Sequence, residues 1–441
     1  MSRFLHIERD PVNQPAATDP LEKATWSSLR IRIGARTVSR VLDKKLNDER
    51  SLLYVPLFAV GEWLVNNWWA LLHEPCRSEF LPPPDADEPE FSWTKRHCLR
   101  AAESDLLLPA LYLHCDGRGL RAEWRADSED ALPHMPAFFV DAGWSDLERE
   151  PTEQSLARFV ADVLERVGPL DDSRARDLRE AWSVIQEADA EERAFCVMAG
   201  RLGLDPYDPQ QIPKPLAATL EQFEEASDPL VQDITMAASP DRLSEQWKWV
   251  DNAKRAHKLT AVPPVMRAPP SSGFVRADKF GYSVAQEFRR RATHPADSPL
   301  ESVPAIASQV LGVPLQVINE NHLVGREVKL IVGKSDSGDV QVVGPTVAYE
   351  EDERFRVARG LFHVAVAGAL GPRLVTDAFT WDQRASRAFA AELIAPQQAL
   401  KARAGRWADR DTIRNLARDF RASTILIEKQ LTNAQVPISQ D

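Results

Sequence analysis

Cysteine is scarce: Cys76, Cys98, Cys115 and Cys196 are the only four in a chain of 441 residues, and no two stand at metal-ligand spacing. This excludes a secreted disulfide framework or a cysteine zinc cluster and points to reduced thiols. The start, MSRFLHIERDPV, carries charges where an export signal needs an apolar core, so a cytoplasmic location is expected. Gly-Xaa-Ser-Xaa-Gly elbows, P-loops and dinucleotide fingerprints are also missing, which removes the usual signatures of serine hydrolases and nucleotide binders. Uninterrupted apolar runs are missing too. The nearest approach, LLYVPLFAVGEWLVNNWWALL over 52–72, has Glu62, Asn66 and Asn67 at its centre, where hydrocarbon would penalise them. A core helix opened by Pro56 is predicted there, with Trp63, Trp68 and Trp69 in the core, and no membrane partner.

What is present is ordinary for a globular chain, long enough for roughly two or three domains. The net charge of −12 is unevenly spread: from Arg276 onward 22 basic residues stand against 20 acidic ones, leaving −14 for the front. An acidic front discourages nucleic-acid phosphate, and the near-neutral C-terminal part neither invites nor forbids it.

The pattern predicts an α+β protein in five segments. Residues 1–25 are polar and read as a loose tail. Residues 26–150 form a tryptophan-rich, mixed α/β region with β-hairpins, the clearest being LLPALYLHCDG and GLRAEWRAD around the Asp116-Gly117 turn. Residues 151–260 carry helical periodicity, as at Leu156, Phe159, Val160 and Val163, and read as a helical middle segment. Residues 261–275, with four prolines and no period, read as a linker. Residues 276–441 then run helix, helix, strand, a hairpin around KSDSGD, and a helix with Phe355, Ala358, Leu361, Phe362 and Ala365 on one face.

That last helix carries Arg354-Phe355-Arg356-Val357-Ala358-Arg359-Gly360-Leu361-Phe362-His363, followed by Trp381-Asp382-Gln383-Arg384-Ala385-Ser386-Arg387-Ala388-Phe389-Ala390-Ala391-Glu392-Leu393-Ile394-Ala395-Pro396. The two segments resemble the R-F-x-x-A-H-E-x-G-H and F-A-A-E-L-L-x-P motifs of ImmA/IrrE-type zinc metallopeptidases, and LARDFRASTILIEKQLTN from Leu416 resembles the helix pair that closes such domains. The resemblance implies a zincin-like C-terminal domain with a degenerate site. In that family two histidines one helical turn apart and a later carboxylate hold zinc, and a glutamate beside the first histidine takes a proton from the metal-bound water. Here Arg359 stands for the first histidine and Gly360 for the glutamate, while His363 remains. The third-ligand positions hold Asp382, Gln383, Arg384 and Ala385, of which Asp382 is the one carboxylate. Neither a metal nor another cofactor is expected.

Each of these residues also has a bland reading: His363 as a hydrogen-bonded core histidine, Arg359 as a solvated surface arginine, Gly360 as drift. A sharper reading makes Arg359 a clasp that pairs with Asp382 or Asp377 in place of the cation.

The function implied is a catalytically inactive regulatory or scaffolding module for a protein or peptide partner such as a repressor, toxin or operon-encoded protein. Its setting would be bacterial stress response, mobile-element control or phage defence. Two alternatives stay open. One is a DNA-binding regulator working through the C-terminal helix pair, with Arg410, Arg414, Arg418 and Arg421 nearby. The other is a zinc-dependent endopeptidase with unconventional ligands.

Overall fold

A computed structural model describes residues 3–14, 16–78, 81–82, 92–128, 136–223, 225–267, 269, 275–320, 325–366 and 371–439. The chain divides into two compact units, residues 1–220 and 221–441, and both mix helices with small sheets.

In the first unit, β1 (Leu5–Pro11), β2 (Trp26–Ile33), β3 (Arg36–Thr37) and β6 (Leu53–Pro56) make one sheet with β2 at its centre. Strand β1 pairs antiparallel with β2 from Leu5↔Ile33 to Pro11↔Ser27. The expected loose tail is therefore corrected: residues 5–11 are a strand, and α1 (Pro20–Thr25) follows, capped by the Asp19 carboxylate on Leu21 N at 2.8 Å. With Leu5 buried and Ile7 packed on the core, this strand gains its ladder from a segment too distant to show in local periodicity.

A second sheet joins β4 (Val41–Asp43), β5 (Asp48–Arg50) and β9 (Ala137–Phe139); a third joins β7 (Ala110–Cys115), β8 (Leu120–Arg125) and β10 (Gly143–Leu147). The β7–β8 hairpin is the one marked by Asp116-Gly117. The Asp116 carboxylate accepts from Arg118 N (3.0 Å) and Gly119 N (2.8 Å), and Gly117 sits at φ 92°, where a side chain would be strained.

The predicted core helix is split into α2 (Phe58–Asn66) and α3 (Trp68–His73) at Asn67, whose φ of −115° leaves helical geometry. Trp68 and Trp69 are buried, and Glu62 is half-buried. Among the described residues no helix is long and apolar enough to cross a membrane. Four more helices complete the unit after the short α4 (Trp93–His97): α5 (Arg149–Val167), α6 (Ser173–Glu187), α7 (Ala190–Arg201) and α8 (Lys214–Leu220). The expected apolar stripe of α5 is buried.

The expected helical middle segment is thus not one body. Its first helices bury their stripes in the core of the first unit, while α9 (Pro229–Thr235) and α10 (Leu243–Ala256) belong to the second. The expected linker is corrected in part as well: Val262, Val265 and Met266 pack on the second unit's core, and the amides of Val265 and Met266 both donate to Ala365 O. Residues 268 and 270–274 of that stretch lie outside the described residues.

The second unit continues with α11 (Ala277–Arg291), α12 (Val303–Leu311), β11 (Leu315–Asn319), β12 (Val328–Lys334), β13 (Val340–Gly344), α13 (Glu350–Val366), β14 (Arg373–Thr376), α14 (Trp381–Ile394), α15 (Gln397–Ala404), α16 (Arg410–Phe420) and α17 (Thr424–Asn433). Its sheet has the order β11-β13-β12-β14, with β11 parallel to β13 and the other pairs antiparallel. Helix α13 packs on this sheet and against α14.

Close backbone approach lets α11 cross α14. A Cβ on Gly281 would lie 2.3 Å from Ala385 O and 2.8 Å from Phe389 N, so the helices must separate to admit it. Gly281→Ala is expected to destabilise the protein by about 1–3 kcal/mol despite alanine's better helix propensity. Chemical denaturation of the variant measures this, and an unchanged or higher stability would count against the tight crossing.

Candidate functional site

Arg359 and His363 lie one turn apart on α13, both buried, on a face turned to α14. Helix α14 begins at Thr380, whose hydroxyl accepts from Gln383 N at 3.4 Å. This cap places Gln383 in the first turn, pointing inward. Its Oε1 accepts from Thr376 N (3.1 Å) and from Arg359 Nη2 (2.8 Å), while its Nε2 donates to Leu374 O (2.8 Å). Arg359 also donates from Nη2 to Thr376 O (2.6 Å) and from Nε to Ser386 Oγ (3.2 Å).

Arg359 is therefore neither a solvated arginine nor the partner of a carboxylate. It joins α13, the end of β14 and α14 through neutral acceptors. The expected pairing with Asp382 or Asp377 is corrected: Asp382 faces Arg373, with Oδ2 3.2 Å from Nη2, and Asp377 meets Lys329 at 2.6 Å. The reason is helical geometry. Adjacent residues at the start of α14 point about 100° apart, so if Gln383 enters the pocket Asp382 must turn toward β14. Of Asp382, Gln383, Arg384 and Ala385, the residue that reaches Arg359 is thus the amide Gln383, and the carboxylate singled out from sequence faces Arg373 instead.

A guanidinium held only by neutral groups is electrostatically unfavourable. Burial drives Arg359 well below its ordinary pKa, Arg387 adds to this, and Asp377 opposes it. His363 is fully surrounded, and neither ring nitrogen closes a formed hydrogen bond among the described residues, although Gln383 lies beside it. His363 is thus a buried core histidine, as the bland reading has it, with Gln383 beside it as its hydrogen-bond neighbour.

Burial, with Arg373 second, holds His363 far below the ordinary histidine value of 6.5. The folded state then keeps the ring neutral while the unfolded chain takes a proton first, so stability is full above that value and falls as pH drops below it. This one group is expected to cost about 1.4 kcal/mol per pH unit below about 6.5. Denaturation of wild type and His363→Leu across pH 7 to 5 should show a shallower acid slope for the variant; parallel slopes would refute it.

Gly360 faces the sheet. A Cβ there would meet Leu330 Cδ1 at 3.3 Å and Val342 Cγ2 at 3.7 Å, so the missing side chain lets α13 sit close on β12 and β13. Packing thus supplies a reason for glycine beyond drift.

Two features escaped the sequence reading. Glu392 of the second motif is buried and accepts from Gln286 Nε2 (3.1 Å), Gln430 Nε2 (3.2 Å) and Gln397 N (3.1 Å), tying α11, α15 and α17 together. Beneath the pocket, Arg373 forms a buried two-point pair with Asp233, Nε to Oδ2 at 2.8 Å and Nη2 to Oδ1 at 3.0 Å. No local pattern could have announced this partner.

The C-terminal pair α16–α17 turns at Arg421, in left-handed geometry, and restarts at the Ser423 cap. Arg410, Arg414, Arg418 and Arg421 are exposed, but Arg414 meets Asp411 (3.1 Å), Arg418 meets Asn415 (2.8 Å) and Arg421 meets Glu350 (2.6 Å). Three of the four are thus engaged by neighbours.

Among the described residues, no group of three or more histidine, cysteine or carboxylate side chains is placed to hold a metal. None of the cysteines is in a disulfide, and all four are buried. Compared with protein-family models, curated proteins and solved structures, the chain matches none.

Proposed function

We propose that the chain is a catalytically inactive relative of ImmA/IrrE-type zinc metallopeptidases, and that residues 276–441 serve as a regulatory or scaffolding module for a protein or peptide partner. The observation that carries this reading is the Arg359–Gln383 contact between the two motif helices. The donor set offers one imidazole, one amide and a guanidinium, which does not fit zinc. Gly360 provides no proton acceptor. Peptide hydrolysis by the family's route then lacks both its metal and its base.

A binding role is compatible with what remains. Strand β11 ends the sheet, pairing only with β13 among the described residues, and an extended peptide can add to such an edge. The candidate partners are those the resemblance implies, a repressor, toxin or operon-encoded protein, in stress response, mobile-element control or phage defence.

Elemental analysis of untagged protein, with a peptidase assay on the same sample, tests the reading. Zinc well below stoichiometric and no cleavage are expected. Stoichiometric zinc lost in His363→Ala, with cleavage that a chelator stops, would overturn it in favour of an endopeptidase with unconventional ligands. Binding of an operon-encoded protein that Ile318→Pro on β11 abolishes would support the scaffold role.

A further inference from the structure

The first unit contains a cleft of about 620 Å³ that the motif reading does not touch, bounded by α2, α3, the C-terminal part of α6 and the loop that follows α7. Its walls carry Trp63 and Trp69 from the helices and Tyr207 from the loop. Tyr207 is 40% exposed at the mouth, while Trp69 is 5% exposed at the back. Tryptophan and tyrosine rings in a concave site attract organic cations through their π faces.

The charges of the cleft point the same way. Asp205 and Asp208 line it, and neither takes part in an ion pair among the described residues. Asp205 Oδ1 accepts from Tyr207 N at 3.0 Å; Asp208 accepts from Gln210 N (2.8 Å) and Gln211 Nε2 (3.0 Å). Burial, with Asp208 adding to it and the Tyr207 amide opposing it, raises the Asp205 carboxyl above its ordinary value, and a cation placed beside it would favour its charged form. Two basic residues also line the cleft. Arg96 is already spent on Glu74, with Nε to Oε2 and Nη2 to Oε1 both at 2.8 Å. Lys95 is exposed at the rim, and its carbonyl takes the Trp63 indole N–H at 2.8 Å.

One buried donor is only loosely held. The Trp69 indole N–H, beside the Tyr207 hydroxyl, closes no well-formed hydrogen bond. A buried donor of this kind calls for an acceptor on whatever fills the space.

We propose that this cleft binds a small alkylammonium ion bearing an oxygen acceptor, of the choline class, with the cationic head against Trp63, Tyr207 and Asp205 and the oxygen on the Trp69 indole N–H. An anion would meet two carboxylates that no ion pair among the described residues neutralises. A neutral sugar would use the rings but leave the charge unanswered.

Titration of the full-length protein with choline, followed by calorimetry and tryptophan fluorescence, tests this, with tetramethylammonium, glucose and inorganic phosphate as the other probes. Saturable choline binding is expected, with tetramethylammonium weaker because it lacks the hydroxyl. Asp205→Asn keeps the bond to Tyr207 N and removes the charge; it and Tyr207→Leu should each weaken choline roughly tenfold with the thermal midpoint unchanged. The proposal is overturned if choline does not bind, if Asp205→Asn binds it as well as wild type, or if glucose or phosphate binds there in its place.

Discussion

Arg359→His combined with Gln383→Glu is expected to give a protein that purifies with stoichiometric zinc. Arg359 Nη2 already touches Gln383 Oε1 at 2.8 Å across the gap between α13 and α14. A histidine arm is shorter than an arginine arm, and an ion at about 2.0–2.2 Å from its nitrogen and carboxylate ligands fills the difference. His363, one turn further on the same face, is buried with its ring nitrogens unspent, so the third ligand is in place and neutral, as a metal requires. Thr376 N, now donating to the Gln383 oxygen at 3.1 Å, would donate to the new carboxylate and orient it.

The variant should melt higher than its chelator-treated form, by about 4 kcal/mol of added stability when free zinc exceeds the dissociation constant a thousandfold. It should not cleave peptides. Adding Gly360→Glu brings the missing base but must displace Leu330, whose Cδ1 lies 3.3 Å from the position of a Cβ. A well-folded double variant without zinc would show that the pocket is not a refilled metal site, and the proposed ancestry would lose its main support.

Those residues show where sequence reasoning reaches and where it stops. The helices and hairpins of residues 276–441 were legible because period and turn chemistry are local: KSDSGD between alternating runs, the apolar stripe around Leu361, and Ser423 ahead of the last helix all report on themselves. The β7–β8 hairpin was legible for the same reason. Strand β1 was not, since its pairing energy comes from β2, across a loop and a helix. The break at Asn67 was hidden inside a run whose composition suits one continuous helix. Within the site, the motif resemblance brought out Arg359 and His363, but the expected pairing took the wrong neighbour at the start of α14. Asp382 was preferred on chemistry, whereas the direction of each side chain is set by the Thr380 cap. A one-residue choice on a helix is a rotation of about 100°, and only the cap decides it.

Loss of the Asp233 carboxylate is expected to be the most damaging single change in the second unit. Asp233 is 8% exposed and accepts from Arg373 Nε, Arg373 Nη2 and the Leu374 amide at 2.8, 3.0 and 2.9 Å. Asp233 and Asp382 hold Arg373 above the ordinary arginine value despite its burial, so the two carboxylates offset the cost of burying its charge. Asp382 cannot substitute, being a quarter exposed and bound through one oxygen at 3.2 Å. Asp233→Ala therefore leaves a buried cation with only its one-oxygen contact to Asp382 and should cost about 3–5 kcal/mol.

The same physics makes the loss recoverable. Arg373→Met in the Asp233→Ala background removes the stranded charge and fills similar volume, and should restore all but about 1–2 kcal/mol, the remainder belonging to the Leu374 amide that keeps no acceptor. A urea-denaturation cycle on wild type, both single variants and the double variant measures the coupling. Additive losses would mean that Arg373 finds water or another acceptor when Asp233 is gone. A coupling of several kcal/mol would fix α9 to β14 as the joint on which the edge of the sheet, and with it the Thr376 carbonyl that holds Arg359, depends.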